Sequence, residues 1–245
     1  MATLILTEKP SVARDFAKAL GDCKKRDGYF DCGNYLITWA FGHLFEIDDK
    51  IAPERWSFDT LPIFPEKFKL RLRKGAGKQF KVIKNLLGKV NRVIIASDAG
   101  REGELLAREI LLMAGWKNWD KTYRFWTSEA LTPEVVKRTL KNLKPAKEFD
   151  SLYYSALARQ HADWIVGINL TRAVSLKAKS GVWSVGRVQT PTLKILLDRE
   201  LEIENFKPQP YYLIEGAFSK GGTKFKARFI KSERDLEEKA EEEED

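Results

Sequence analysis

One short stretch constrains this chain more than any other. Val93, Ile94 and Ile95 form an apolar run that continues into "ASDAGREGE", and "REGELLAREILLMAG" follows with apolar residues at helical spacing. An apolar run bounded by turn residues and followed by an amphipathic helix reads as a buried strand of a parallel sheet with its crossover helix. The nine residues of "ASDAGREGE" hold three carboxylates, one arginine and two glycines. A buried strand that ends in so much charge places chemistry where parallel sheets gather it, beyond the carboxyl ends of their strands.

The same alternation runs through the first 146 residues. "TLILTEK" is a strand ending near Thr7. "SVARDFAKALG" is a helix with Val12, Ala13, Phe16, Ala17 and Leu20 on one face, Pro10 in its first turn and Gly21 at its end. "YFDCGNYLITWAFGHLFEI" reads as a hairpin around Cys32-Gly33-Asn34, an insertion in the sheet. "PERWSFDTLPIFPEKF" has three prolines and no period, so it is a connection. "KQFKVIKNLLGK" is helical, "TYRFWTS" a strand, and "EALTPEVVKRTLKNL" a helix opened by Thr132-Pro133. The fold class is therefore α/β, a parallel sheet with helices on its faces. From Lys147 to Asn205 strand signals fade into two helical stretches, a second, all-helical unit. "YYLIEGAF" and "TKFKARFI" return to strand alternation before an acidic tail. The expected domains are residues 1–146, 147–206 and 207–245. Trp39, Trp126 and Trp164 sit in apolar patterns and are assigned to the core rather than to base stacking.

The net charge of +8 is unevenly placed. Ser232–Asp245 holds nine acids and two bases, which leaves 41 bases and 26 acids elsewhere, a net of +15. A body that basic is suited to a polyanion, nucleic acid first, although a solvated lysine-rich surface has the same composition. Lys67 to Arg92 carries ten bases and no acid, and reads first as a solvated face. No apolar run is long enough for a membrane span, and no signal-peptide pattern is present, which points to the cytoplasm. Cys23 and Cys32 are the only cysteines, which argues for a reducing compartment and against a zinc site or a disulfide scaffold, with a Cys23–Cys32 bridge as the less favoured alternative.

Two strand ends carry acids. Glu8 follows the first strand, and Asp98 follows the strand at Val93–Ser97, with Glu102 and Glu104 in the first helical turn beyond. If the strands are neighbours, Glu8, Asp98 and Glu102 converge, and carboxylates without His or Cys suit Mg²⁺. Glu102 and Glu104 are equally at home as acids at a helix N-terminus.

"TEKPSVA" with "DAGREGE" resembles the Toprim domain of type IA DNA topoisomerases, the topoisomerase III branch in particular. "ARQHADWIVGINLTRA" (Ala158–Ala173) and "SVGRVQTPTL" (Ser184–Leu193) are similar to motifs of that family's helical DNA-binding domain. The resemblance implies a Toprim fold, Rossmann-like with helices on both faces, then an all-helical domain. It implies an ATP-independent enzyme that cuts one DNA strand, passes another through and reseals the first. Glu8 would be the acid and base at the 3′ oxygen, Lys9 and Arg159 would serve the scissile phosphate, and Glu8, Asp98 and Glu102 would hold Mg²⁺. Arg159, Asp163, Ser184, Val185, Gly186, Arg187, Val188, Gln189 and Thr190 would line the groove for single-stranded DNA. Gly186 would admit the phosphates closely, and Ser184, Gln189 and Thr190 would offer donors. Asp163, four residues after Arg159, shares its helix face. His161 reads as a helix-surface residue.

Two departures from the family pattern stand out. Gly100 occupies the place of the second acid in Asp-x-Asp-x-Glu, so the site has one carboxylate fewer. None of the seven tyrosines lies in a "TYPRT"-like stretch, where the family carries its nucleophile. The chain reads as the N-terminal segment of such an enzyme, working with further topoisomerase domains in cis or in trans. The competing reading is a non-cleaving Toprim DNA-binding module; a Toprim nuclease or primase would leave "SVGRVQTPTL" unexplained.

Overall fold

The computed structural model describes residues 2–229; the acidic tail from Ser232 lies outside them. In chain order the elements are β1 (Thr3–Thr7), α1 (Pro10–Leu20), β2 (Lys24–Arg26), β3 (Tyr29–Cys32), β4 (Tyr35–Trp39), β5 (Phe45–Ile47), β6 (Leu70–Leu72), α2 (Gly77–Leu87) and β7 (Arg92–Ala96). They continue as α3 (Arg101–Met113), β8 (Thr122–Arg124), α4 (Pro133–Lys141), β9 (Lys144–Pro145), α5 (Asp150–Ala178), α6 (Gln189–Glu204), β10 (Glu215–Lys220) and β11 (Thr223–Arg228). Among the described residues no helix is long and apolar enough to cross a membrane.

Seven strands form one sheet in the order β2-β3-β4-β1-β7-β8-β9. β1 sits in the middle, parallel to β4 on one side and β7 on the other, with Ile5 level with Ile37 and Ile94. β7 and β8 are also parallel, and the outer pairs are antiparallel. Successive side chains of a strand face opposite ways. Leu4 and Leu6 of β1 thus join Val93 and Ile95 in a core beneath α2 and α3, while Ile5 joins Ile37 and Ile94 in a core beneath α1 and α4. Both faces are covered, which is why β1 and β7 read as continuous apolar runs.

The sequence expectation for residues 29–47 needs correction. β3 and β4 do form a hairpin, but it is not an insertion: β4 pairs with β1 over its full length and belongs to the central sheet. Ile37 and Thr38 are both fully buried, one on each face, as only an interior strand requires. For the cysteines the less favoured alternative holds. β2 and β3 pair Lys24 with Asp31, which brings the flanking Cys23 and Cys32 to a Cα separation of 4.1 Å, and they are disulfide-bonded. Trp39, Trp126 and Trp164 are half-buried rather than core; Trp116 is the buried indole. β6, which pairs with β5, lies just after the proline-rich connection, in a stretch given no element from the sequence.

The chain forms two compact units, Met1–Pro191 and Thr192–Asp245. The first holds the sheet, its four covering helices and α5. In the second, β10 and β11 form an antiparallel hairpin in which Phe218 lies opposite Phe225, ring on ring at 5.2 Å.

Candidate active site and nucleic-acid groove

From β1 the chain crosses through α1 to β4 on one side, and β7 lies on the other. The direction of winding therefore reverses between β1 and β7, and the crevice beyond their carboxyl ends is where such sheets bind ligands. Glu8 and Lys9 follow β1, and Asp98 follows β7. Lys9 Nζ stands 3.6 Å from Glu8 Oε1 and 3.4 Å from Asp98 Oδ2, so one ammonium is shared by carboxylates from the two strand ends. Glu8 first, then Asp98, raises the Lys9 pKa above its ordinary value.

The backbone under Asp98 is fixed by a cation that sequence reasoning passed over. Arg124, at the end of β8, is fully buried. Its Nη1 donates to the carbonyls of Ile95 (3.1 Å), Ser97 (2.9 Å) and Phe125 (2.8 Å), and its Nη2 to that of Asp98 (2.6 Å). Its Nε donates to Glu104 Oε2 at 2.7 Å. Burial lowers the Arg124 pKa, and the carboxylate of Glu104 opposes that shift. Glu104 is itself fully buried and accepts a second bond, 2.8 Å, from Arg108 Nε. Arg108 then reaches Asp150 Oδ1 at 2.6 Å and the Ala146 carbonyl at 2.5 Å, which ties the site to the start of α5. The role of Glu104 is thus to hold two buried arginines, not simply to sit at a helix N-terminus. The i,i+4 spacing of Glu104 and Arg108 was the one trace of this in the sequence.

Two glycines near Asp98 differ. A Cβ on Gly103 would meet the Asp98 carbonyl oxygen at 2.4 Å, so the first turn of α3 approaches the loop this closely only without a side chain. A Cβ on Gly100 would meet nothing within 4 Å.

Glu102 begins the second half of the array. It accepts from Arg159 Nη1 of α5 at 2.8 Å. Among the described residues no three His, Cys, Asp or Glu side chains gather to hold one metal ion. Each of the three carboxylates expected at a shared site has a cation partner in this conformation, Lys9 for Glu8 and Asp98 and Arg159 for Glu102.

Arg159 begins a chain of charges toward the "SVGRVQTP" loop. Its Nε lies 3.6 Å from Asp163 Oδ2, and Arg187 grips the same carboxylate with two nitrogens, at 2.5 and 3.3 Å. Arg187 is the main cause of the lowered Asp163 pKa, and Asp163 correspondingly raises that of Arg187. The loop between α5 and α6 bonds to both flanking helices. Val185 donates to Thr171 Oγ1 at 3.0 Å, Gly186 to Thr190 Oγ1 at 3.1 Å, and Ser184 Oγ lies 3.3 Å from Gln189 Oε1. Val188 is exposed. The Ser184 hydroxyl is thus engaged as a donor, while Gln189 Oε1 and Thr190 Oγ1 act as acceptors, and a Cβ on Gly186 would make only ordinary contacts.

A cleft of about 440 Å³ opens beside this array, lined by His43, Glu46, Arg71, Arg73, Glu102, Arg159, Asp163 and Trp164 among others. Arg71 and Arg73 both pair with Glu46, so part of the basic tract is neutralised locally. His43 also escaped the sequence reading. Its Nδ1 lies 3.6 Å from Oε2 of the buried Glu109, whose other oxygen accepts from Gln160 at 2.8 Å. The bond to Glu109 raises the His43 pKa against the opposing effect of burial, and the charges of Glu102 and Glu8 add to the rise. His161, by contrast, stacks on Phe68 at 3.7 Å, and burial lowers its pKa.

Comparison with known proteins agrees with this picture. Residues 3–130 match the Toprim domain family and residues 147–245 the DNA topoisomerase family. The chain is 48% identical over 221 residues to the DNA topoisomerase 3 of Staphylococcus aureus strain MRSA252, covering 87% of this chain and 30% of that protein. The putative DNA topoisomerase 3 of the bovine strain RF122 gives the same values. Among solved structures, the full-length topoisomerase I of Thermotoga maritima superimposes with a TM-score of 0.61 at 26% identity, over 96% of this chain and 37% of that one. The chain thus spans about 30% of the length of these curated relatives.

Proposed function

Since the chain belongs to the type IA DNA topoisomerases, a Toprim domain followed by the DNA topoisomerase domain, we propose that it forms the N-terminal part of the cleavage and religation centre of such an enzyme. The observation that carries this reading is the shared position of Lys9 between Glu8 and Asp98 at the switch point of the sheet. Transesterification at a DNA phosphate needs a proton donor for the leaving 3′ oxygen and cations for the charge that develops on phosphorus. Glu8 is the group proposed to give that proton and take it back on religation, with Lys9 beside it for the phosphate.

Arg159 and Arg187 supply further cations. Both are held by Asp163, a carboxylate that a DNA phosphate would replace as their partner, and Arg guanidinium groups bind phosphate in the same forked geometry. The substrate is proposed to be single-stranded DNA, tracked by the basic stretch from Arg159 to Lys194, which carries six bases and one acid. The protein is proposed to act in the cytoplasm.

Mg²⁺ suits an oxygen-only set, and Glu8, Asp98 and Glu102 are the residues that would hold it. The ion would offset phosphate charge. None of the seven tyrosines lies in a "TYPRT"-like stretch, so the nucleophile is proposed to come from further topoisomerase sequence, in cis or in trans.

Incubation of the chain with end-labelled single-stranded DNA, analysed on native and denaturing gels, tests this. The expected result is a retarded complex that leaves no covalent adduct after denaturation. Absence of any complex at low salt would remove the DNA-binding reading, and a phosphotyrosine adduct would overturn the external nucleophile.

A further inference from the structure

A second cavity, of about 530 Å³, shares no lining residue with the cleft at Arg159. Its size falls within the range of small-molecule sites. Two half-buried rings line it, Phe30 of β3 and Trp39 of β4, with centroids 5.6 Å apart. Three exposed cations surround them: Arg14 and Lys18 of α1, and Lys25 of β2. Asp22 is the single acid in the lining.

Nothing within the described chain uses these cations. Arg14, Lys18 and Lys25 make no ion pair with a described residue. Arg14 and Lys18 are four apart on one helix face, where like charges repel. The dipole of α1 offsets this for Lys18 in the last turn, but not for Arg14 in the middle of the helix or Lys25 on its strand.

We propose that this cavity binds a nucleoside 5′-phosphate, its base against Phe30 and Trp39 and its phosphate among Arg14, Lys18 and Lys25. Aromatic rings stack on any base, and clustered cations select the phosphate. Pro10 also lines the cavity, so the site begins one residue from Lys9. The same chemistry can arrive as a free nucleotide or as one unit of a DNA strand. The inference does not depend on the topoisomerase reading.

Calorimetric titration of the chain with thymidine 5′-phosphate, thymidine and inorganic phosphate tests it. The nucleotide is expected to bind at least about tenfold more tightly than either half alone, since both sets of contacts are then made. The double variant Lys18→Glu, Lys25→Glu should weaken the nucleotide by about tenfold or more through loss of charge-assisted contacts. Both lysines are exposed, so the fold should survive, and circular dichroism checks that it does. Lys81→Glu with Lys84→Glu makes the same change of charge on exposed positions of α2 and should leave nucleotide binding intact. An oligothymidylate that displaces the nucleotide identifies the strand as its source; one that binds without displacing it identifies the free nucleotide. Failure of the nucleotide to bind, or equal weakening by both double variants, overturns the proposal.

Discussion

Arg124 Nη2 donates to the Asp98 carbonyl at 2.6 Å, so a fully buried guanidinium on one strand sets the backbone that presents an exposed carboxylate beyond the next. The same side chain holds Glu104, and through it Arg108. A buried network of this kind gives position rather than net stability: each ion is expensive to desolvate, and removing one strands its partner.

Arg124→Ala should therefore destabilise the first unit by about 3–5 kcal/mol, the usual cost of leaving a buried charge unpaired. The triple variant Arg124→Met, Glu104→Leu, Arg108→Met should recover much of that stability but not the placement of Asp98. Urea melts measure the first effect. If Arg124→Ala unfolds at the same urea concentration as the parent chain, the network does not have this role.

The two glycines of the acidic loop should respond in opposite ways. Gly103→Ala puts a methyl group 2.4 Å from the Asp98 carbonyl oxygen and should lower the melting temperature. Gly100→Asp meets open space, so it should fold normally while adding the carboxylate that the family pattern has there. Mg²⁺ titration followed by calorimetry should then show tighter binding than in the parent chain. An unchanged titration would mean that Gly100 does not limit metal affinity.

Arg187 is expected to contact phosphate and not base. Arg187→Ala should weaken single-stranded DNA binding to all sequences alike and reduce the slope of log K against log salt by about 0.7, one phosphate's worth on a single strand. Asp163→Asn should act the other way, because it frees Arg187 from a bond of 2.5 Å and removes a negative charge from the groove. Fluorescence anisotropy across a salt series reads both. Two variants with the parent slope would place the groove elsewhere.

His43 should give the fold a pH dependence of known sign. Its pKa in the folded chain is raised above 6.5, chiefly by the bond to Glu109. The folded state thus binds the proton more tightly than the unfolded one. That contribution is fully present below the unfolded pKa and disappears as pH rises through the folded pKa. The stability difference between the parent chain and His43→Gln should be larger at about pH 5.5 than at about pH 8.5, on either side of the ordinary histidine value. A difference that grows with rising pH would show that His43 is neutral in the fold.

The sequence by itself determined the longer elements and their order. Period-two and period-3.6 apolar patterns are local, so β1, β7, α1 and α3 were legible, as were the acids at the strand ends and the topoisomerase motifs around Arg159 and Arg187. The tertiary structure decided which charges meet. No spacing rule links Arg124 to Asp98 or Arg187 to Asp163, because each pair is joined by packing between elements distant in sequence. The same holds for β4, a central strand rather than an insertion, since only its pairing with β1 buries both of its faces. Cys23 and Cys32 met for a like reason: the β2–β3 register set their separation, and their count alone could not. Lys9 shows the division within one residue. The sequence placed it after a strand beside Glu8, but the parallel register of β1 with β7 brought Asp98 to its other side, because Thr7 pairs with Ala96 and both chains leave the sheet at one edge.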